Sequence, residues 1–97
     1  IIPVVKGNAY GLGTVEVARL LAERCGVQLI ANAHVLESMQ IRQAGVDADL
    51  MILGALPPHA IPYGPRYDLQ LTVFNRQTVE LLSQACRQQG KVGKVHV

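Results

Sequence analysis

The sequence has little that would suit a membrane or a nucleic acid. Its longest apolar stretches are as short as strands and are interrupted by glycine, proline or charged residues, so none approaches the roughly 20 residues of a membrane-spanning helix. The 9 basic and 7 acidic residues are scattered along the chain and form no basic run or stripe. We therefore expect neither a membrane nor a nucleic acid as a partner.

Cysteine is also scarce. The two cysteines are Cys25 and Cys86, and no short cysteine–histidine spacing suits zinc, so no metal site is predicted. Both cysteines fall on apolar faces of predicted helices, and unpaired cysteine is among the residue types most often buried. We expect two buried free thiols, which favours a reducing compartment.

The sequence also shows no stretch that we would expect of a leader segment. The chain opens directly on Ile1-Ile2-Pro3-Val4-Val5, without a charged stretch or a small-residue cleavage site, so no secretory signal is visible. We expect a cytoplasmic location. The lack of an initiator methionine leaves open a longer natural N-terminus.

What the chain does have is enough apolar content for a core, because 49% of its 97 residues are hydrophobic. Short apolar runs alternate with amphipathic segments that start at cap residues such as Thr14 and Asn75 and end before glycines. The predicted strands are residues 4–5, 28–31, 50–53, 69–74 and 95–97. The predicted helices are residues 14–25, 35–44 and 76–89. Their apolar positions are Val17, Leu20, Leu21 and Cys25, then Leu36, Met39 and Ile41, then Val79, Leu82, Ala85 and Cys86.

This alternation predicts an α/β fold with a parallel sheet covered by helices, since such strands are apolar on both faces. Residues 54–67 are rich in proline and are expected to form an ordered loop with at most a short helix. The element order fits either an open doubly wound sheet or the first half of a (β/α)8 barrel of the TIM type. A half barrel would have open edges and would need the rest of its chain or a partner.

The segment with the most chemical content follows the first predicted strand, where Lys6 is succeeded by Gly7, Gly11 and Gly13. In a barrel, the carboxyl ends of the strands form the rim on which active sites are built. A lysine flanked there by apolar residues is partly desolvated, loses its proton more easily and can form a Schiff base. An ordinary lysine that extends into solvent from a strand end fits the same position, so location alone leaves both interpretations open.

The stretch Val-Lys-Gly-Asn-Ala-Tyr-Gly-Leu-Gly at residues 5–13 resembles the cofactor-lysine signature of alanine racemases, V-K-A-N-A-Y-G-H-G. Residues 37–45 are similar to the family's E-A-x-x-L-R-x-A-G helix, and residues 51–54 and 71–74 to its third and fourth strands. The resemblance covers essentially the whole chain. It implies that residues 1–97 are the N-terminal part of the barrel domain and that the C-terminal β domain of the family is absent.

The resemblance implies pyridoxal 5'-phosphate as the cofactor. Lys6 is similar to the catalytic lysine that forms the Schiff base, and Tyr10 to the tyrosine whose hydroxyl contacts the cofactor phosphate. Leu53 is similar to a residue of the cofactor pocket. Without the family, Tyr10 and Leu53 would be a loop tyrosine and a leucine that packs at the end of a strand.

Several positions depart from the family pattern. Gly7 replaces alanine and Leu12 replaces histidine, which removes any polar contact from that loop position. Asn32 stands where an apolar strand residue is usual, and it could either reach a ligand or satisfy backbone groups. His34 is expected to be a solvated residue at a helix start.

By this resemblance the protein would interconvert L-alanine and D-alanine and supply D-alanine for peptidoglycan, as a homodimer in its full-length form. The isolated 97-residue chain is expected to be inactive, because the second base and the other cofactor contacts lie in segments it lacks. Two alternatives stay open: another lysine-dependent protein of this fold, such as an amino-acid decarboxylase or a cofactor-homeostasis protein, and an inactive barrel segment that only folds or binds.

Overall fold

The computed structural model of the chain describes residues 2–96, except for the side chain of Tyr10. Its strands are parallel and lie in chain order: β1 (Leu29–Asn32), β2 (Asp49–Ile52), β3 (Leu69–Thr72) and β4 (Lys94–His96). Its helices are α1 (Lys6–Tyr10), α2 (Thr14–Arg24), α3 (Val35–Gln43), α4 (Tyr63–Arg66) and α5 (Arg76–Gln89), with one 3-10 turn at Pro58–Ala60. Every element predicted from the sequence is present except a full first strand, and part of the last predicted strand, Val97, lies outside the described residues.

The predicted first strand is reduced to a single parallel bridge between Val4 and Ala31. Two hydrogen bonds form it: Ala31 N–H donates to the Pro3 carbonyl and Val5 N–H donates to the Ala31 carbonyl, each over 2.9 Å. This segment therefore borders β1, and every later strand adds to the same side of the sheet. A doubly wound sheet reverses its strand order at one point, whereas a barrel does not, so the described topology favours a barrel.

The strand register separates the two faces of the sheet. Ile30, Leu50 and Leu69 lie in one row across β1 to β3, and all three are buried under the helices. The next row toward the carboxyl ends alternates to the other face, where Met51 pairs with Gln70 and both are only half-buried. The more open face is the one that would line the inside of a barrel.

The bounds of α5 agree with the sequence prediction because both ends carry local signals. Asn75 Oδ1 accepts the backbone N–H of Thr78 at 2.9 Å, and Gly90 ends the helix with a φ of 67°. Leu82 and Cys86 are buried as expected, but Val79 is 48% exposed. None of the helices within residues 2–96 has the length and apolar character required to cross a membrane.

The predicted apolar face of α2 is partly wrong. The helix buries Thr14 and Ala18, which lie four residues apart, whereas Leu20 is 54% exposed because it lies about 200° around the helix from Ala18. Cys25 is exposed as well, since it follows the last helical residue and extends beyond the core. The expectation of two buried thiols therefore holds only for Cys86.

The second predicted helix, α3, also buries a different set of residues. Ile41 is fully buried, but Leu36 is 72% exposed, and the buried face includes Val35 and the hydroxyl-bearing Ser38. The Ser38 hydroxyl has no hydrogen-bond partner among the described residues. Three-residue and four-residue spacing identified the helix, but it did not identify which side faces the sheet.

Candidate functional site

Lys6 lies at the carboxyl edge of the sheet, directly after the buried Val5. Its side chain is exposed, which differs from the partial burial expected from its apolar neighbours. The ion pairs found within residues 2–96 join Arg76 to Glu80 and Lys94 to Asp68, so neither engages Lys6. The site therefore presents an accessible primary amine at the edge where the parallel strands end.

Residues 7–9, which follow Lys6, form one turn with an unusual backbone, called the lysine turn below. Gly7, Asn8 and Ala9 have φ values of 62°, 57° and 53°, so all three adopt the left-handed conformation. Glycine does so freely and asparagine at a low cost, whereas for alanine the cost is about 1–2 kcal/mol. Such a turn persists only if the surrounding structure holds it.

Two side chains hold this turn. The backbone N–H of Asn8 donates to Glu37 Oε1 over 3.0 Å, and Asn8 Oδ1 accepts the backbone N–H of Thr14, also over 3.0 Å. The second oxygen of Glu37 accepts Asn32 Nδ2 at 3.1 Å and the Thr14 hydroxyl at 3.4 Å. The Glu37 carboxylate thus joins α1, the first residue of α2 and the last residue of β1.

The pKa of Glu37 lies below its ordinary value. Burial alone raises this pKa, but the hydrogen bonds from the Asn8 backbone, the Asn32 amide and the Thr14 hydroxyl, together with the nearby charge of His34, lower it by more. Glu37 is therefore a stable carboxylate, and a charged acceptor makes each of its hydrogen bonds stronger.

Sequence reasoning did not identify Glu37 as part of the site. Glu37 is the third residue of α3, where a glutamate commonly reaches back to the backbone N–H of the N-cap residue, here His34. That N–H instead donates to Asn32 Oδ1 at 2.9 Å, which leaves the Glu37 carboxylate for the lysine turn. A glutamate at this position without serine or threonine at the N-cap was the available signal.

The other candidate residues are placed as follows. Leu53 is half-buried just after β2, and its N–H donates to the Asn32 carbonyl at 2.7 Å. Leu53 thus shares the carboxyl edge with Lys6, and β1 lies between β2 and the bridged segment that precedes Lys6. The Tyr10 main chain ends α1, but its side chain lies outside the described part of the chain.

Of the two interpretations of Asn32, the structure favours the structural one. Its side chain is 1% exposed, and both ends are occupied by the contacts to His34 and Glu37. His34 is exposed at the start of α3, as expected, and Leu12 is 76% exposed.

Comparison with known proteins identifies the family. A family model described as "Alanine racemase, N-terminal domain" matches residues 1–97. Curated relatives include alanine racemase 1 of Oceanobacillus iheyensis, which is 38% identical over 94 residues, and the alanine racemase of Clostridium novyi, which is 35% identical over 97 residues. These alignments cover 97% and 100% of this chain but 25% of each relative, so the chain spans about a quarter of their length.

Solved structures agree with the sequence matches. An alanine racemase of Clostridium difficile 630 superposes with a TM-score of 0.93 at 32% identity, over 99% of this chain and 25% of that chain. The alanine racemase from Bacillus anthracis with bound L-Ala-P gives a TM-score of 0.85 at 34% identity, over 99% of this chain and 24% of that chain. The expected barrel fold is thereby confirmed, with the described sheet as its first part. This chain belongs to the alanine racemase N-terminal domain family.

Proposed function

We propose that the protein interconverts L-alanine and D-alanine with pyridoxal 5'-phosphate attached to Lys6. Residues 1–97 are the N-terminal part of the barrel domain, and a C-terminal β domain and a second subunit complete the site in a cytoplasmic homodimer. The product D-alanine serves peptidoglycan synthesis. The observation that carries the proposal is the accessible Lys6 amine at the carboxyl edge of the sheet, within a turn that matches the family's lysine signature.

The described residues fit this cofactor. An accessible primary amine at the rim of a barrel is the group that the aldehyde of pyridoxal phosphate requires. When bound, the cofactor supplies an electron sink for the electron pair at the substrate Cα. Lys6 would hold the cofactor and move a proton at that Cα from one face. Leu53 would pack against the cofactor, and Tyr10 would donate a hydrogen bond to its phosphate.

Lys6 attachment can be tested by reduction with borohydride. The complete protein is incubated with pyridoxal phosphate, reduced and digested, and the peptides are mapped by mass spectrometry. We expect the reduced label on Lys6, with Lys91 and Lys94 as internal comparisons. A label on Lys91 or Lys94 with none on Lys6 would rule out the assignment. Racemisation of either alanine enantiomer should be lost in Lys6→Ala and kept in Lys91→Ala.

Tyr10 has a separate test. Tyr10→Phe removes only the hydroxyl, and a hydrogen bond to a charged phosphate contributes about 1.5–3 kcal/mol, so cofactor affinity should fall by about ten-fold or more. The circular dichroism spectrum should be unchanged. Unchanged affinity would show that Tyr10 only packs.

The 97-residue chain by itself should not racemise alanine. Lys6 serves one face of the substrate, and each missing preorganised group costs about two to three orders of magnitude. Strand β4 lies at the edge of the sheet and its three residues are all exposed, so it should also promote self-association. The assay compares the purified chain with free cofactor and with Lys6→Ala, and turnover well above both controls would contradict this expectation.

A further inference from the structure

The Glu37 carboxylate takes no part in the proposed chemistry, yet it is the acceptor on which three separate elements converge. Its donors are the Asn8 backbone, the Thr14 hydroxyl and the Asn32 amide. Thr14 is 2% exposed and Asn32 is 1% exposed, so two of the three donors reach the carboxylate from the protein interior.

The donor that matters most is Asn8, because Asn8 lies two residues after Lys6 in a turn of left-handed backbone. Because only Gly7 separates Asn8 from Lys6, a shift of the Asn8 nitrogen would also move the Lys6 backbone. The same asparagine is fixed from its other side by the Thr14 N–H. We propose that Glu37 is a positioning residue for Lys6: its carboxylate binds the Asn8 N–H and thereby fixes the turn that presents the lysine amine to the cofactor.

This inference rests on the proposed function, since it assigns Glu37 a role only if Lys6 carries the cofactor. It differs from that function in naming a residue that contacts neither substrate nor cofactor. A general role in folding makes a different prediction, because it would affect cofactor binding whether or not Lys6 is present.

Glutamine cannot replace Glu37 without loss. Both carboxylate oxygens face donors, Asn8 N–H on one side and Asn32 Nδ2 on the other. In either orientation a glutamine would turn its NH2 group toward one of these donors. Asn32 cannot rotate to compensate, because its Oδ1 is held by the His34 N–H. Glu37→Gln therefore loses either the contact to the Asn8 N–H or the contact to Asn32 that holds the side chain in place, and it removes the charge that strengthens the remaining contact, while it preserves side-chain volume.

The test is a double-mutant cycle on the complete protein, with the dissociation constant for pyridoxal phosphate as the readout. Glu37→Gln is introduced into the natural protein and into Lys6→Ala, which can bind the cofactor only non-covalently. We expect affinity to fall by about ten-fold in the first background and to change by less than about two-fold in the second. Glu80→Gln is the matched control, because Glu80 is exposed and, within residues 2–96, its ion pair is with Arg76 on its own helix.

Each outcome decides the question. An equal loss of affinity in both backgrounds, or no loss in either, would overturn the positioning role. If Glu37→Gln fails to fold, the same cycle is run with Glu37→Asp, which keeps the charge but is shorter, and a Lys6-dependent loss supports the role equally. If borohydride labels Lys6 but the cycle shows no coupling, only this inference fails. If Lys6 is not labelled, both the proposed function and this inference fail.

Discussion

The guanidinium group of Arg42 donates from Nη1 to the carbonyl oxygen of Ala48 over 2.7 Å. Nη1 also donates to the carbonyl oxygen of Val46 at 3.2 Å, while Nε donates to that of Tyr67 at 2.9 Å and Nη2 to that of Asp68 at 3.2 Å. Ala48 directly precedes β2 and Asp68 directly precedes β3. Arg42, in the last turn of α3, therefore joins the amino ends of two neighbouring strands, on the edge of the sheet opposite Lys6.

Arg42→Lys should destabilise the protein, because an ammonium group lacks the planar fork that serves four carbonyl groups at once. The carbonyl groups left without a donor lead us to expect a loss of about 2–3 kcal/mol in the free energy of unfolding. Chemical denaturation of the complete protein measures this change in the free energy of unfolding. Arg87→Lys is the control, since Arg87 is exposed on α5. A change no larger than that of Arg87→Lys would contradict the structural role.

Local sequence signals predicted much of this fold. The cap Asn75 and the glycine Gly90 define α5 because both act within a few residues of the helix ends. The face that each helix buries could not be predicted as well. Leu20 and Leu36 are exposed although their spacing is helical, because smaller residues on other sides of these helices, Ala18 and Ser38, are the ones that are buried.

The residues of the candidate site also differ in whether local sequence could predict them. The family motif predicts Lys6 as the site lysine, since the motif is continuous in sequence, and this assignment stays a prediction. Glu37 was missed because its partner Asn8 is 29 residues away, and only the folded sheet brings the two together. The first strand was predicted too long for a similar reason, as the left-handed turn that begins after Lys6 leaves a single bridge at Val4.

Ser38→Ala should stabilise the protein. The Ser38 side chain is fully buried, and its Oγ has no hydrogen-bond partner within the described residues. The free-energy cost of removing this hydroxyl from water is therefore not offset by a hydrogen bond. We expect a gain of about 1 kcal/mol, seen as a rise in Tm. Ser83→Ala, at an exposed position of α5, reports the gain from helix propensity alone. A Tm rise equal to that of Ser83→Ala would leave no contribution from the buried hydroxyl.

Gly64→Ala should destabilise the protein because α4 approaches β3 closely at this point. A Cβ atom at residue 64 would lie 2.7 Å from Leu71 Cδ1 and 3.0 Å from Leu71 Cγ. Leu71 is itself buried, so it cannot move away freely, and we expect a cost of about 1–3 kcal/mol. In the double variant Gly64→Ala with Leu71→Ala, the loss should be smaller than the sum of the two single losses. Strict additivity would show that the close approach is not the cause.

Glu37 should make the stability of the protein depend on acid pH. Its pKa in the folded protein is lowered, because the hydrogen bonds from Asn8, Asn32 and Thr14 and the charge of His34 outweigh the opposing effect of burial. A carboxyl whose pKa is lowered on folding contributes stability above its unfolded pKa and loses that contribution as pH falls through its folded pKa.

The difference in Tm between the natural protein and Glu37→Gln should thus be constant near neutral pH. It should narrow only below the ordinary titration range of glutamate, at about pH 4.3. Melting curves recorded from pH 7 to pH 3 measure this difference in Tm, and Glu80→Gln, at an exposed position, is the control. A difference that persists unchanged to the lowest pH would mean that the charge of Glu37 does not stabilise the lysine turn.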